Sequence, residues 1–433
     1  MKQKPTILIA ATERWYPTAR LGMALADAGC NVEAVCPAGH PLEKTSSVRQ
    51  AHSYHGLTPL MSFVHAIQAT KPELIVPADD LATRHLHQLH DRARRDQNGG
   101  MNLCELIERS LGAPESFPVV FSRSGFMVLA REEGLRVPQT EVINDNVDLK
   151  NWIARVGLPT VLKANGTSGG DGVRVVRTLE EAERAFRKLQ APPLLARAFK
   201  RAFVNRDQTL VWPSLLRRRS IVNAQEFVAG HEATSAIACW NGTVLASLHF
   251  EVVKKVDSAG HATVLRTIEN AEMSAAAEKV ARRLKLSGFH GLDFMLAANT
   301  GDAYLIEINP RTTQVGHLTL GPGRDLPAAL YAALTGESIQ HAPKVTESDT
   351  IALFPQEWRR DPASTYLRSG YHDIPWQEPE LVRDCIHGYK RHSHRNAQQA
   401  LPFPALGPAG HDRSTEVSRR GAWVAREGGS RYE

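Results

Sequence analysis

The chain has 433 residues, long enough for two or three packed domains. Its apolar share of 42% is ordinary for a globular protein, and no apolar run reaches the ~18 residues of a membrane span. The net charge of +6 is matched by the stretch 190–223 alone, with seven Lys/Arg against one Asp, so the basic balance is local and gives no case for nucleic acid; zinc-finger, RNP and basic-zipper patterns are missing too.

The start, MKQKPTILIAATERWYP, has a basic tip and a short apolar run that Glu13 and Arg14 interrupt, so it reads as a first strand rather than a signal peptide. Five scattered cysteines without a C-x-x-C fit a reducing cytoplasm and argue against a disulfide frame or zinc site. TILIAA, residues 18–28, NVEAVC, 59–69, ELIVP and 81–95 alternate strand and helix signals. This βαβαβα pattern predicts a parallel sheet covered on both faces. G-x-G-x-x-G is missing, which weakens a dinucleotide reading. Ligands of such sheets sit at the carboxyl ends of strands. Thr12, Glu13 and Arg14 follow the first strand, and Asp79 and Asp80 the third; solvated loops are favoured there over substrate contacts.

A helix starts at Arg123, GLRVPQTEVI follows, and 149–156 is a short helix. In VLKANGTSGGDGVRVV, Lys163 leaves a strand, a loop holds Gly166, Ser168, Gly169, Gly170 and Gly172, and a second strand follows. Glycine lets backbone N–H groups surround phosphate oxygens, although a plain hairpin turn competes with that reading. No G-K-[ST] opens a helix, so this is not a Walker A loop. A helix over 179–188 comes next. In the basic stretch Leu195, Phe199 and Phe203 recur every four residues among Arg197, Lys200 and Arg201, predicting an amphipathic helix before Arg217, Arg218 and Arg219. A solvated face is favoured there; an acidic or phosphorylated substrate and an anionic membrane surface are the sharper options.

QEFV, 225–228, reads as a strand. TSAIACW and VLASLHFEVV flank the turn Asn241-Gly242, and Lys254 and Lys255 end the second of them, facing a reacting phosphate or simply water. Residues 272–284 form a helix beneath the most informative segment, the hairpin from Asp293 to Arg311 around Asn299-Thr300-Gly301-Asp302. Asp293 lies on its first strand. Glu307 and Asn309 end the second, two apart and so on one face. Three oxygen donors at one spot suit a hard cation such as Mg²⁺, and Arg311 adds a fixed positive charge. His317 is either a proton carrier or structural. Residues 351–386 hold apolar pieces with Trp358 and Trp376, and from about Lys390 the chain turns polar and is expected to be disordered.

Together Lys163 with its glycine loop and, ~130 residues on, a carboxylate, a hairpin and E-I-N-P-R resemble the ATP-grasp superfamily, over about 6–336, with carboxylate–amine ligases and carbamoyl-phosphate-synthase-like members the nearest in pattern. The resemblance implies an α/β chain: a Rossmann-like domain (1–115), then an ATP-grasp fold of two α+β subdomains (116–224 and 225–336), before a C-terminal lobe (337–389) and the tail (390–433). It implies that Arg123, Lys163 and the glycine loop hold ATP phosphates, that backbone near Phe227 and Val228 bonds adenine, and that Glu232, or less well Glu226, holds the ribose. Asp293, Glu307 and Asn309 would bind Mg²⁺, with Mn²⁺ a possible substitute; some members carry Gln or Glu where Asp293 stands. Arg311 would stabilise the transferring phosphoryl group. The implied reaction activates a small carboxylate as an acyl phosphate for attack by an amine or another nucleophile. A kinase, a carboxylase-like activator and a non-catalytic nucleotide-binding protein are the alternatives. The sequence names neither substrate nor oligomeric state.

Overall fold

A computed structural model describes residues 4–96, 101–165, 172–191, 220–257, 260–338 and 343–392, with side chains given up to residue 386. Gly166, Ser168, Gly169 and Gly170, the amphipathic helix expected after residue 190 and the tail beyond 392 lie outside these residues.

The first sheet holds β1 (Thr6–Ala10), β2 (Asn31–Cys36), β3 (Val48–Ser53) and β4 (Leu74–Pro77), all parallel in the order β3-β2-β1-β4. Strand β3 was not foreseen. VRQAHS lies on the sheet edge with four of its six residues exposed, so no apolar alternation marks it. A helix, Met101–Leu111, was also missed. The chain turns back between β1 and β4, whose ends pair Ala10 with Pro77. Residues 11–15 and 78–80 therefore emerge side by side at the switch point, where open parallel sheets bind ligands.

The second sheet is antiparallel and combines β5 (Thr140–Ile143), β6 (Thr160–Ala164), β7 (Val173–Val176) and β8 (Val222–Glu226) in the order β5-β8-β6-β7. Strand β8 corrects two expectations. It is VNAQE rather than QEFV, and the subdomain boundary expected at 224/225 cuts through it. Its polar residues hid it, but their amide nitrogens are bonded inside: Asn223 Nδ2 donates to Asn165 Oδ1 at 2.9 Å and Gln225 Nε2 to Thr140 Oγ1 at 3.0 Å. Two helices, Asn146–Val156 and Leu179–Gln190, cover this sheet. Thr178 caps the second, Glu180 and Glu181 lie in its first turn, and Arg187 and Lys188 in its last, each sign matching the helix dipole. Trp152, 1% exposed, anchors the core: its Nε1 donates to Thr160 Oγ1 at 2.8 Å, which donates to the Gln225 carbonyl at 3.0 Å.

The third sheet has seven strands: β9 (Gly230–Trp240), β10 (Thr243–Lys255), β11 (Ala262–Thr267), β12 (Gly288–Ala297), β13 (Ala303–Asn309), β14 (Thr350–Ala352) and β15 (Tyr371–His372), in the order β13-β12-β9-β10-β11-β14-β15. Asn241 and Gly242, with φ 49° and 84°, make the tight β9–β10 turn that the Asn-Gly pair signals. The helix Ala271–Leu284 buries Met273, Ala277, Val280 and Ala281 against Leu292, Phe294, Leu305 and Ile308, fixing the β12–β13 hairpin from below. The opposite face shares one core with the first sheet, in which Ile7, Val32 and Val76 join Leu248, Phe250 and Val315.

The segment expected as a C-terminal lobe is built into this body. Strand β14 pairs with β11, Asp373 Oδ1 lies 2.5 Å from Arg20 Nη2, and Glu378 accepts from Thr45 and Ser46 at 2.7–3.0 Å. His317 is structural: it is 7% exposed, and its Nε2 lies 2.7 Å from the buried Asp373 carboxylate. Residues up to Lys390 form one compact unit. Among the described residues no helix is long and apolar enough to cross a membrane.

Candidate active site

All three sheets contribute to one cleft of about 780 Å³. Its lining includes Lys163, Val173 and Val175 from the second sheet, Glu232, Asp293, Glu307 and Asn309 from the third, and Trp15 and Asp80 from the switch point of the first. Arg123, Glu226, Phe227, Val228, Lys255 and Arg311 line it as well. Thus every described site residue named from the sequence reaches this cleft except Gly172, whose carbonyl instead accepts from Ala164 N at 2.9 Å and closes the base of the glycine loop.

The centre is the β12–β13 hairpin. Asp293 and Glu307 are direct cross-strand partners, with a bulge just beyond Asp293. Asp293 is held on both oxygens, Thr234 Oγ1 donating to Oδ1 at 2.9 Å and Asn309 Nδ2 to Oδ2 at 2.8 Å. Burial, reinforced by the like charge of Glu307, pushes the Asp293 carboxyl up to about 6 against these hydrogen bonds. Glu307 takes Arg123 Nη1 at 2.7 Å. Among the described residues no group of three His, Cys, Asp or Glu side chains forms a metal site. The candidate set is instead two carboxylates and an amide, and the charge excess that raises Asp293 is what a divalent cation neutralises, so the donor chemistry fits Mg²⁺.

Lys163, 6% exposed, is the last but one residue of β6 and lines the same cleft as this pair. Burial lowers its pKa to about 8; the charges of Glu307, Asp293 and Glu232 oppose the fall, and Arg123 deepens it. Glu232 is paired with Lys255 at 2.7 Å, so Lys255 turns into the site while Lys254 is exposed. Glu226 accepts from Gln139 N at 3.2 Å, which spends one of its oxygens on the residue just before β5. Phe227 and Val228 lie past the end of β8, in the connection to β9.

Arg311 is fixed on several sides. Its Nε lies 3.0 Å from Asp80 Oδ1, its Nη1 donates to the Thr312 carbonyl at 3.1 Å, and its Nη2 to Asn309 Oδ1 at 3.4 Å; the guanidinium carbon sits 5.6 Å from the centre of the Trp15 ring. The expectation of solvated loops at 12–14 and 79–80 is therefore corrected. Asp79 caps the helix Asp80–Arg95 and binds the other loop, accepting from Thr12 N at 2.6 Å and Thr12 Oγ1 at 2.7 Å. Asp80 holds Arg311. Arg14 alone is exposed, 3.5 Å from Asp384. Sequence reasoning missed Trp15 and Thr234. Trp15 carries no motif, though its place just after the first strand is a usable signal; Thr234 is found only through its pairing with Asp293 on β9 and β12.

The family model described as the carbamoyl-phosphate synthase L chain ATP-binding domain matches residues 123–320, which hold Arg123, Lys163, Asp293, Glu307, Asn309 and Arg311. The carbamoyl phosphate synthase large chain of Methanoregula boonei is 28% identical over 236 residues, 50% of this chain and 20% of that one. The chain thus spans a fifth of the length of the curated relatives it matches. Among solved structures, the biotin carboxylase domain of 2-oxoglutarate carboxylase from Hydrogenobacter thermophilus, in complex with MgADP and bicarbonate, superposes with a TM-score of 0.55 at 15% identity, over 79% of this chain and 72% of that one. N5-carboxyaminoimidazole synthetase from Staphylococcus aureus, complexed with ADP, gives 0.54 at 14% identity, over 79% and 80%. At these identities the two structures speak for the fold.

Proposed function

We propose that this chain, which shares the fold of the ATP-grasp structures it superposes on, is an ATP- and Mg²⁺-dependent ligase that joins a small carboxylate to an amine or another nucleophile. One observation carries the reading: Lys163, Arg123, Arg311 and the pair Asp293/Glu307 line a single cleft. That set has the charges needed to hold a triphosphate and a divalent cation in register with a third, anionic reactant.

Lys163 and Arg123 bind phosphate oxygens, joined by the glycine loop. Glu232 takes the ribose hydroxyls in exchange for Lys255, with Glu226 at the same end, and the backbone at Phe227 and Val228 meets the adenine. Asp293, Glu307 and Asn309 hold Mg²⁺, for which Mn²⁺ substitutes. When bound there, the ion would neutralise phosphate charge during transfer. A substrate carboxylate oxygen attacks the γ-phosphorus, the bond to the β-phosphate oxygen breaks, and ADP leaves. Arg311, aligned by Asp80 and Asn309, stabilises the equatorial oxygens during transfer and the acyl phosphate after it. The nucleophile then adds to the acyl carbon, phosphate departs with the bonding pair, and the amine proton passes to water. None of these steps needs a protein nucleophile. All five cysteines are free thiols, which suits the cytoplasm.

The test is ADP and phosphate release from Mg-ATP with pooled carboxylic acids and pooled amines, beside Glu307→Ala. Release that needs both pools and vanishes in the variant supports the ligase. ADP formed with one pool, leaving a stable phosphorylated product, replaces it with a kinase. ATP bound but not turned over replaces it with a nucleotide-binding regulator.

A further inference from the structure

None of the described residues beyond 350 lines the cleft, yet this C-terminal segment grips both pieces of chain that carry Trp15 and Arg311 into it. Asp373 Oδ1 lies 2.5 Å from Arg20 Nη2, on the helix Tyr16–Asp27 that Trp15 opens, and its Oδ2 lies 2.7 Å from His317 Nε2, shortly after Arg311. One buried carboxylate thus ties the two pieces together at a fixed spacing. The helix Pro379–His392 adds a second hold. Its Leu381 packs with Ala19 and Met23 of the Trp15 helix. The Tyr16 hydroxyl donates to Asp384 Oδ2 at 3.1 Å, and Arg14 Nη2 lies 3.5 Å from the same oxygen. Arg359 donates to the Cys385 carbonyl at 2.8 Å and lies 5.1 Å from the centre of the Tyr16 ring.

Asp384 therefore holds the residues on either side of Trp15. The backbone at Trp15 is extended, with φ −140° and ψ 121°. Successive side chains of an extended segment point to opposite sides, so a grip on Arg14 and Tyr16 from behind turns Trp15 forward. Trp15 accordingly lines the cleft and its two neighbours do not. There its ring covers the Arg311 guanidinium, whose carbon lies 5.6 Å from the ring centre. The contacts of Arg311 with Asp80, Asn309 and Thr312 all engage its N–H edge. A planar group held by its edge can still tilt; an aromatic ring against its face removes that freedom. Of the two contacts to Asp384, the Arg14 ion pair is exposed and adds little, so the Tyr16 hydroxyl carries the hold.

Resting on the ligase reading, we propose that Asp384 is a positioning residue for phosphoryl transfer: through Tyr16 it keeps Trp15 on the face of Arg311, within the frame that Asp373 sets. The C-terminal segment then acts on the reaction without touching nucleotide or substrate. Neither Trp15 nor Asp384 lies in the stretch 123–320 that the family model matches, so this brace is a feature of the present chain outside that domain. Because a small misplacement of an aligned group is costly, loss of the Tyr16–Asp384 bond is expected to weaken binding of a transferring-phosphoryl mimic roughly 5- to 100-fold while leaving nucleotide binding unchanged.

The experiment uses the full chain in two readouts. Fluorine resonance of protein labelled with fluorotryptophan, with the Trp15 signal assigned through Trp15→Phe, reports the ring itself. Calorimetry of MgADP alone and of aluminium fluoride added to the MgADP complex separates nucleotide binding from binding of the phosphoryl mimic. Asp384→Ala and Tyr16→Phe should each move or broaden the Trp15 signal and weaken aluminium fluoride, with MgADP affinity kept. The double variant should lose no more than Asp384→Ala, because the two groups act through one bond. Asp384→Asn should retain most of the affinity, since its amide oxygen still accepts from Tyr16. A Trp15 signal unmoved in Asp384→Ala, aluminium fluoride affinity unchanged in it, a parallel loss of MgADP, or additive losses in the double variant overturns the proposal. Parent protein that binds MgADP but never retains aluminium fluoride is a different result: it overturns the ligase reading, and the positioning of Trp15 is then decided by its own resonance.

Discussion

Nucleotide binding should draw a proton onto Lys163. Burial lowers this ammonium from the ordinary 10.5 to about 8, with Arg123 adding to the fall and Glu307, Asp293 and Glu232 opposing it. In the free protein the lysine is then half-charged near pH 8. A triphosphate against it restores the charged form, so at pH 8 binding should take up about half a proton. The difference between 10.5 and about 8 sets a ceiling of roughly 3 kcal/mol on the coupling. The sign follows directly. Below pH 8 the free protein already carries the proton, and affinity is flat; above it the proton must be captured, and affinity falls by up to about tenfold per pH unit until the lysine of the complex titrates. In the unliganded fold the same group binds fewer protons than in the unfolded chain between pH 8 and 10.5, so its cost to stability, complete below 8, is relieved as pH rises. The assay is calorimetry of MgADP binding at pH 8 in buffers of different ionisation enthalpy. Proton uptake should vanish in Lys163→Met. A binding enthalpy independent of buffer, or uptake that persists in that variant, would refute the reasoning.

Three further outcomes are expected. Arg123 occupies Glu307 at 2.7 Å, so Arg123→Met should strengthen Mn²⁺ binding without nucleotide while weakening MgADP at least fivefold, as read by manganese spin resonance and calorimetry. Trp152→Ala should cost about 3–5 kcal/mol in urea unfolding, because it removes a fully buried ring and strands the hydroxyl of Thr160; Trp152→Phe should cost far less. Asp373 is held well below the ordinary carboxylate range by Arg20 and His317, against burial. Asp373→Ala should therefore destabilise by about 3–5 kcal/mol through the uncompensated Arg20, a difference present above about pH 4 and lost as acid protonates Asp373 in the parent chain.

What the sequence disclosed follows from how local each signal is. The Asp293–Arg311 hairpin was legible because alternation, a Gly-containing turn and the E-I-N run lie within twenty residues. The parallel sheet was legible for the same reason, except for β3, whose edge position removes the apolar pattern. Strand β8 was misplaced by three residues because its buried Asn223 and Gln225 read as loop until their partners on other strands are known. The links that assemble the site were illegible in kind. Trp15 and Asp80 reach Arg311 across more than 200 residues of chain, and no spacing rule encodes that contact. It arises from the strand order of the first sheet and from the core it shares with the third.

The central claim is that a carboxylate is activated as an acyl phosphate, and hydroxylamine tests it most directly by standing in for the nucleophile. The protein is incubated with Mg-ATP, hydroxylamine and the pooled carboxylic acids, and hydroxamate is measured beside ADP. The account predicts hydroxamate equal to the ADP formed, with both lost in Glu307→Ala. ADP that accumulates without hydroxamate would contradict it.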